Sequence, residues 1–226
     1  MKCHCCDSEY KKVSKKTYKC KSCKHLYQDW GKSEEWVANY YQTYRESHPI
    51  PEKEYRNTWT TNISDFFVEH CDLNNKKILE IGAYDGELIS KVAKHFKNCE
   101  LHVNDIDAGA KTLLEPKFSN IHICNFLGIR GSFDALIAID VWEHFDDVSV
   151  FYEKALEMSC EYLLLQVPVN RRVKSDDCEF QPHYHNPTPE SFESFWSKDF
   201  DLISHKVSKH GFSAKGPELL CVFKRK

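Results

Sequence analysis

No stretch of this chain comes near the ~18 consecutive apolar residues of a transmembrane helix, so no membrane span is expected. The opening Met1-Lys2-Cys3-His4-Cys5-Cys6 lacks the apolar centre of an export signal. There is no sustained basic run, and the net charge is only −3, which disfavours sequence-independent binding to nucleic acid. Apolar residues make up 41% and aromatics 13%, enough for a buried core and against wholesale disorder. Cysteine is plentiful, but the count of eleven is odd and no export signal accompanies it. Five of the eleven fall within the first 23 residues, a clustering that points to metal binding in a reducing, cytoplasmic compartment.

Cys3-x2-Cys6 and Cys20-x2-Cys23 are separated by thirteen residues. Two such pairs supply four thiolates, the tetrahedral sulfur set of a closed structural Zn²⁺ site. The intervening segment, with Tyr10, Val13, Thr17 and Tyr18, suits a hairpin with one pair at each end. Cys5, His4 and His25 are spare candidate ligands. A lysine-rich segment this small has too little core to fold unaided. The domain reading is a ribbon over 1–30, a helical lid or connector over 31–72 and an α/β domain over 73–226.

Within the connector, Ser33-Glu34-Glu35 starts a helix with Trp36, Val37, Tyr40, Tyr41 and Tyr44 as a stripe. His48-Pro49-Ile50-Pro51 is a turn, and a second helix covers roughly Lys53 to His70. Tyr40, Tyr44, Arg45 and Arg56 are weak candidates for binding at the mouth of a site.

The centre of the chain is Lys77 to Ile89. A short apolar run ends at Glu80-Ile81-Gly82, passes through Ala83-Tyr84-Asp85-Gly86 and continues as a helical pattern of Leu88, Ile89, Val92, Ala93 and Phe96. A strand, glycine turn and helix in that order bring backbone N–H groups close to a ligand. Further apolar runs end in polar residues: Glu100–Asp105, Asn120–Phe126 with Asn125, Phe133–Asp140 and Tyr162–Val167. Their alternation with helical segments argues for a parallel sheet covered on both faces. Ligands of such sheets sit beyond the carboxyl ends of the strands. Glu80, Gly82, Asp105, Asn125, Asp140 and His144 fall there. Asp105 lies 25 residues after Glu80, near the ~20-residue interval of a ribose-binding acid, with Asp107 as its competitor.

From about Leu73 to Lys226 the sequence resembles the class I S-adenosylmethionine-dependent methyltransferases. Glu80-x-Gly82-x-x-x-Gly86 is similar to their first motif, Asp105 to their ribose-binding acid, and Asp140-Val141-Trp142-Glu143-His144-Phe145 to their "D-V-x-E-H" segment. That segment is similar to the one in ubiquinone-pathway and deoxysugar methyltransferases, and some of the latter carry a four-cysteine zinc module in front. The resemblance implies a Rossmann-like methyltransferase fold, with a mostly parallel seven-stranded sheet and helices on both faces. It implies S-adenosylmethionine as donor, bound by Glu80, Gly82, Ala83, Tyr84, Asp85, Gly86, Asp105, Ile106, Asn125, Phe126 and Asp140. Tyr84 departs from the pattern, since the family's middle glycine belongs there; Tyr84 and Asp85 could supply contacts instead, Asp85 to the amino group.

For a hydroxyl acceptor, His144 is the candidate general base, and Glu143 could orient it or contact the adenosyl part of the donor. A histidine that only caps the turn, and a carboxylate that only faces solvent, stay open as readings. Gln181-Pro182-His183-Tyr184-His185-Asn186-Pro187-Thr188-Pro189-Glu190 resembles the family's loop after the fifth strand. His183, Tyr184 and His185 are expected in the acceptor pocket or packing the loop, and Arg171 and Arg172 either clamp a phosphate or face solvent. Cys178, His183 and His185 lack a fourth ligand at metal-site spacing. Leu202–Val207 and Leu219–Phe223 fit a terminal antiparallel pair.

The expected activity is methyl transfer to a hydroxyl of a small sugar-like acceptor, free or linked to phosphate or a nucleotide. The alternatives are methylation of RNA or protein with the lysine-rich ribbon as reader, and a scaffold that binds the cofactor without turnover. The sequence leaves oligomeric state open.

Overall fold

The computed structural model describes residues 1–42, 53–169, 183–208 and 217–226. Three short strands open the chain: β1 (Tyr10–Lys12), β2 (Thr17–Cys20) and β3 (Leu26–Gln28). Helices α1 (Glu34–Gln42) and α2 (Lys53–Val68) follow. The main sheet then builds from β4 (Lys77–Ile81), α3 (Glu87–Ala93), β5 (Glu100–Asp105), α4 (Ala110–Leu114) and β6 (Asn120–Ile123). It continues with β7 (Ala135–Ile139), α5 (Ser149–Glu157) and β8 (Tyr162–Pro168). After β9 (His185–Asn186) come α6 (Pro189–Trp196), β10 (Phe200–Ser208) and β11 (Glu218–Arg225). Single 3₁₀ turns occupy Phe126–Gly128 and Trp142–His144.

The seven-stranded sheet has the order β10-β11-β8-β7-β4-β5-β6. The five strands from β8 to β6 pair in parallel, and β11 runs antiparallel to both β8 and β10. The chain enters at β4, winds outward through β5 and β6, then returns to β7 on the other side of β4. Strand order therefore reverses between β4 and β7, which is where a sheet of this kind opens a ligand crevice.

The near-continuous apolar runs have a direct explanation. Along β7, Leu136 and Ala138 enter one core while Ala135 and Ile137 enter the other; along β8, Leu163 and Leu165 oppose Leu164. With period-2 side chains and a helix layer on each face, both sets must be apolar. One core holds Trp142, Phe151, Trp196 and Phe223; the other holds Ile63, Phe67, Leu88, Ile89 and Leu114.

The expected third strand is shorter than its sequence pattern, ending at Ile123 because Asn125 turns the chain and caps the 3₁₀ turn through Leu127 N–H at 3.0 Å. The expected hairpin in the first thirty residues is present as β1–β2, but its sheet is larger. It has four strands in the order β1-β2-β3-β9, and the last comes from residues 185 and 186. The ribbon's sheet is thus completed by β9, far along the chain from the ribbon itself.

Candidate functional site

The turn between β4 and α3 is built from left-handed backbone. Gly82, Tyr84 and Gly86 have φ of 67°, 57° and 69°. A Cβ at Gly86 would lie 2.2 Å from the Phe118 ring, so any larger residue would have to displace that ring as well as hold a strained φ. Tyr84 thus adopts the conformation that the family pattern assigns to glycine, a strained choice for an aromatic residue. Arg56 of α2 stacks on its ring, with 4.6 Å from Cζ to the centroid. The same guanidinium pairs with Asp85 at 2.5 Å and Glu87 at 3.2 Å. Asp85 is therefore engaged by Arg56 and also lies 3.8 Å from Lys117.

Gly86 has no side chain with which to cap α3. Glu80, on the preceding strand, substitutes: its Oε2 accepts the Ile89 N–H at 3.2 Å. The carboxyl is buried, and that burial is the main reason its pKa is pushed up to about 8; Asp85 and Asp105 add to the rise. Asp105, at the end of β5, accepts Tyr84 N–H at 2.8 Å on one oxygen and Asp107 N–H at 2.9 Å on the other. Asp107 in turn accepts Gly109 N–H at 2.7 Å, so of the two competing acids Asp105 is the one tied to the glycine turn. Ala83 is buried, with its N–H on Asn104 O at 2.9 Å, and Ile106 is half-buried just after Asp105. Phe126 is placed with its ring in the core against Phe145 and Phe151, centroids 5.5 and 5.1 Å away.

The opposite wall follows β7. Asp140 has φ of 52° and is held by Gln166, whose Nε2 is 3.5 Å from its carboxylate. A Cβ on Gly82 would lie 3.0 Å from Val141 Cγ2, so the two walls meet there. In the next turn, Glu143 is wholly buried, while His144 and His183 retain 15% side-chain exposure. Glu143 Oε1 is 4.0 Å from His144 Nε2 and 4.0 Å from His183 Nδ1. Tyr41 of α1 places its hydroxyl 2.9 Å from His144 Nδ1 and 3.3 Å from Nε2. Of the three expected loop residues, His183 brings its ring to this group, edge-on to His144 with centroids 4.6 Å apart. Tyr184 and His185 are instead buried in the seam beneath the ribbon. Tyr184 donates its N–H to Glu143 O at 2.9 Å and its hydroxyl to Lys32 O at 3.1 Å. Arg171, like Tyr44, Arg45, Arg172 and Cys178, lies outside the described residues.

In the ribbon, the sulfurs of Cys3, Cys6, Cys20 and Cys23 all lie within 4.8 Å of one another, with Cys3–Cys23 at 3.6 Å and Cys6–Cys20 at 3.5 Å. A tetrahedral Zn²⁺ with bonds of about 2.3 Å needs sulfurs about 3.8 Å apart, so these four fit the ion. His25, a spare ligand candidate, borders that set: its Nδ1 is 3.9 Å from Cys3 Sγ and 2.6 Å from Tyr10 Oη, and its Nε2 is 3.2 Å from His185 Nδ1. His185 Nε2 is 3.1 Å from Asp146 O, continuing the chain of contacts to the segment after His144. Burial holds the His185 pKa well below its ordinary value, reinforced by His25 and His4.

Sequence reasoning ranked Arg56 among weak candidates and gave Tyr41 no site role. Nothing in local spacing connects residue 56 to 85 or 41 to 144. The one available signal was that an arginine and a tyrosine stripe precede the first strand of the sheet.

No family model and no curated protein matches the chain. Among solved structures it is similar to magnesium protoporphyrin IX methyltransferase (ChlM) from Synechocystis PCC 6803 with bound SAH, at TM-score 0.65 and 10% identity, covering 86% of this chain and 100% of that one. It is also similar to the N-methyltransferase NodS from Bradyrhizobium japonicum WM9, at 0.56 and 16%, covering 78% and 99%. The [4+2]-cyclase SpnF matches at 0.58 and 11%, covering 73% and 80%, so the shared fold also carries other chemistry. The chain has the Rossmann-like fold of the class I S-adenosylmethionine-dependent methyltransferases.

Proposed function

We propose that this protein is an S-adenosylmethionine-dependent methyltransferase acting on a hydroxyl of a small polar acceptor, a sugar or sugar-derived metabolite, free or linked to phosphate or a nucleotide. The observation that carries the donor half is the tie between Asp105 and the left-handed turn at Tyr84, a 2.8 Å bond that fixes a carboxylate beside the glycine cradle at the point where strand order reverses. Gly82, Ala83 and Asp105 would hold the donor, with Asp85 kept in place by Arg56. Bound there, the donor supplies a methyl group already activated by its sulfonium. The protein's remaining task is to orient the acceptor and take its proton. His144 is the group for that step, its ring held by the Tyr41 hydroxyl with the Glu143 carboxyl 4.0 Å away.

Calorimetric titration with S-adenosylhomocysteine tests the donor half, and no detectable binding would sink it. His144→Ala should keep that affinity while lowering turnover by about 10²- to 10⁴-fold, the usual contribution of a general base. Unchanged turnover would remove His144 from the role. Fully structural zinc in the ribbon and a cytoplasmic location belong to the same proposal.

One observation favours a second reading. Lys11, Lys12, Lys15, Lys19, Lys21 and Lys24 are all exposed on the ribbon, a surface that could read RNA or an acidic protein. A salt-dependent RNA gel shift would support it; no shift would favour the small acceptor. Cofactor binding without turnover across a broad acceptor panel would point to a scaffold.

A further inference from the structure

On the face of the sheet that carries Leu136, Leu79 and Ile81, the apolar run stops at β5. His102 and Asn104 stand there beside Leu79 and Ile81, with Asn120 and His122 next to them on β6. Exposure to water does not explain the change, because His102 and Asn104 are both buried. Asn104 is committed to backbone: its Nδ2 donates to His122 O at 2.8 Å and to Cys124 O at 2.9 Å, which pins β6 at the point from which His122 projects.

The two histidines meet across the strands. His102 Nδ1 lies 3.1 Å from His122 Nε2, with the ring planes 13° apart. Glu100 Oε1 accepts the Nε2–H of His102 at 2.7 Å, and Lys77 Nζ is 3.7 Å from the same oxygen. Phe133 packs at right angles to the His102 ring, with centroids 5.1 Å apart. The carboxylate fixes the His102 tautomer and leaves the Nδ1 lone pair toward His122, as in a carboxylate–histidine–metal triad. Two imidazole nitrogens bound to one ion at about 2.1 Å are about 3.0 Å apart when the bonds are at right angles, and about 3.4 Å apart in a tetrahedron. The observed 3.1 Å is nearer the right-angled case, which belongs to tetragonal Ni²⁺ and Cu²⁺ more than to Zn²⁺.

We infer that His102 and His122 form a cross-strand site for one divalent cation of tetragonal preference, with Glu100 as its supporting carboxylate. Water completes the coordination from the side of His122, which is half-buried. The ion takes the place of the proton between the two rings: His102 keeps its proton on Nε2, and His122 carries its own on Nδ1. Each histidine lies three residues before a residue of the donor side, Asp105 and Asn125. The cation therefore fastens β6 to β5 and acts on the stability of this edge, with no part in methyl transfer. The inference goes beyond the methyltransferase reading and stands without it.

The test is a calorimetric Ni²⁺ titration of the untagged full chain carrying one Zn²⁺ per chain at its cysteines. One equivalent of Ni²⁺ should bind without thiolate charge-transfer absorption. Glu100→Gln should weaken it by about 10-fold and His122→Ala by at least about 100-fold, the two ends of the range for loss of a metal's supporting partner. His183→Ala, which alters the histidine pair beside Glu143, should leave it unchanged. Affinity that survives His122→Ala or falls in His183→Ala overturns the inference, as does uptake with thiolate absorption only, or no uptake at all. Should His122→Ala fail to fold, the wild type still decides: paramagnetic Ni²⁺ should broaden the ring protons of His102 and His122 first, and broadening confined to other histidines would count against the site. No step uses S-adenosylhomocysteine, so a protein that fails to bind that ligand would sink the methyltransferase reading and leave the nickel titration readable.

Discussion

Glu80 joins the fold to pH. Its folded pKa, pushed up to about 8 by burial, exceeds that of an exposed glutamate near 4.5, so the folded state holds a proton that the unfolded chain releases between those values. Its contribution to stability is therefore complete below about pH 4.5 and is lost as pH rises toward 8. Glu80→Gln, neutral at every pH and able to accept the same Ile89 N–H, should flatten that loss. Melting temperatures of the two apo proteins at pH 5 and pH 8 should show the wild type falling more. Parallel curves would mean that Glu80 is ionised in the fold. Arg56 invites a second test at this scale. Arg56→Met strips the counter-charge from Asp85 and Glu87, and we expect a loss of about 2 to 3 kcal/mol by denaturant titration, less than for a fully buried pair because both acids keep some solvent.

Among the elements, the ribbon is joined to residues 185–188 and to the segment after β7. β3 pairs with β9, Thr188 caps α6 while donating its hydroxyl to Cys23 O at 3.1 Å, and Tyr27 Oη donates to Asp146 at 2.5 Å. Zinc at the four cysteines would then order the acceptor wall as well as the ribbon. Changing Cys20 and Cys23 to serine should abolish a zinc content of about one per chain. Hydrogen exchange should accelerate in 142–146 and 183–196, while β4 and β5 stay protected. Unaltered exchange in those two segments would make the ribbon an independent appendage.

On the scale of the whole molecule, the two cores grip one sheet whose strand order reverses between β4 and β7. A ligand seated there touches both windings, so S-adenosylhomocysteine at 100 times its dissociation constant should stabilise the protein by about 2.7 kcal/mol. A thermal shift measures this, and Asp105→Ala should reduce it. Among the described residues, no helix is long and apolar enough to cross a membrane.

The strand–turn–helix at Lys77 to Ala93, the acid ending β5, the apolar β7 and β8 and the paired cysteines were all legible from the sequence. Each rests on periodicity or short spacing, which the backbone converts into local geometry without reference to distant parts. Tertiary structure decided the rest. It gave Tyr84 a glycine's conformation beneath Arg56, sent Tyr184 and His185 into the ribbon seam, and gathered Glu143, His144 and His183 around one point. Those outcomes depend on contacts between residues as far apart as His25 and His185. No local pattern encodes such a meeting, because it follows from how the ribbon docks on the sheet once both have formed.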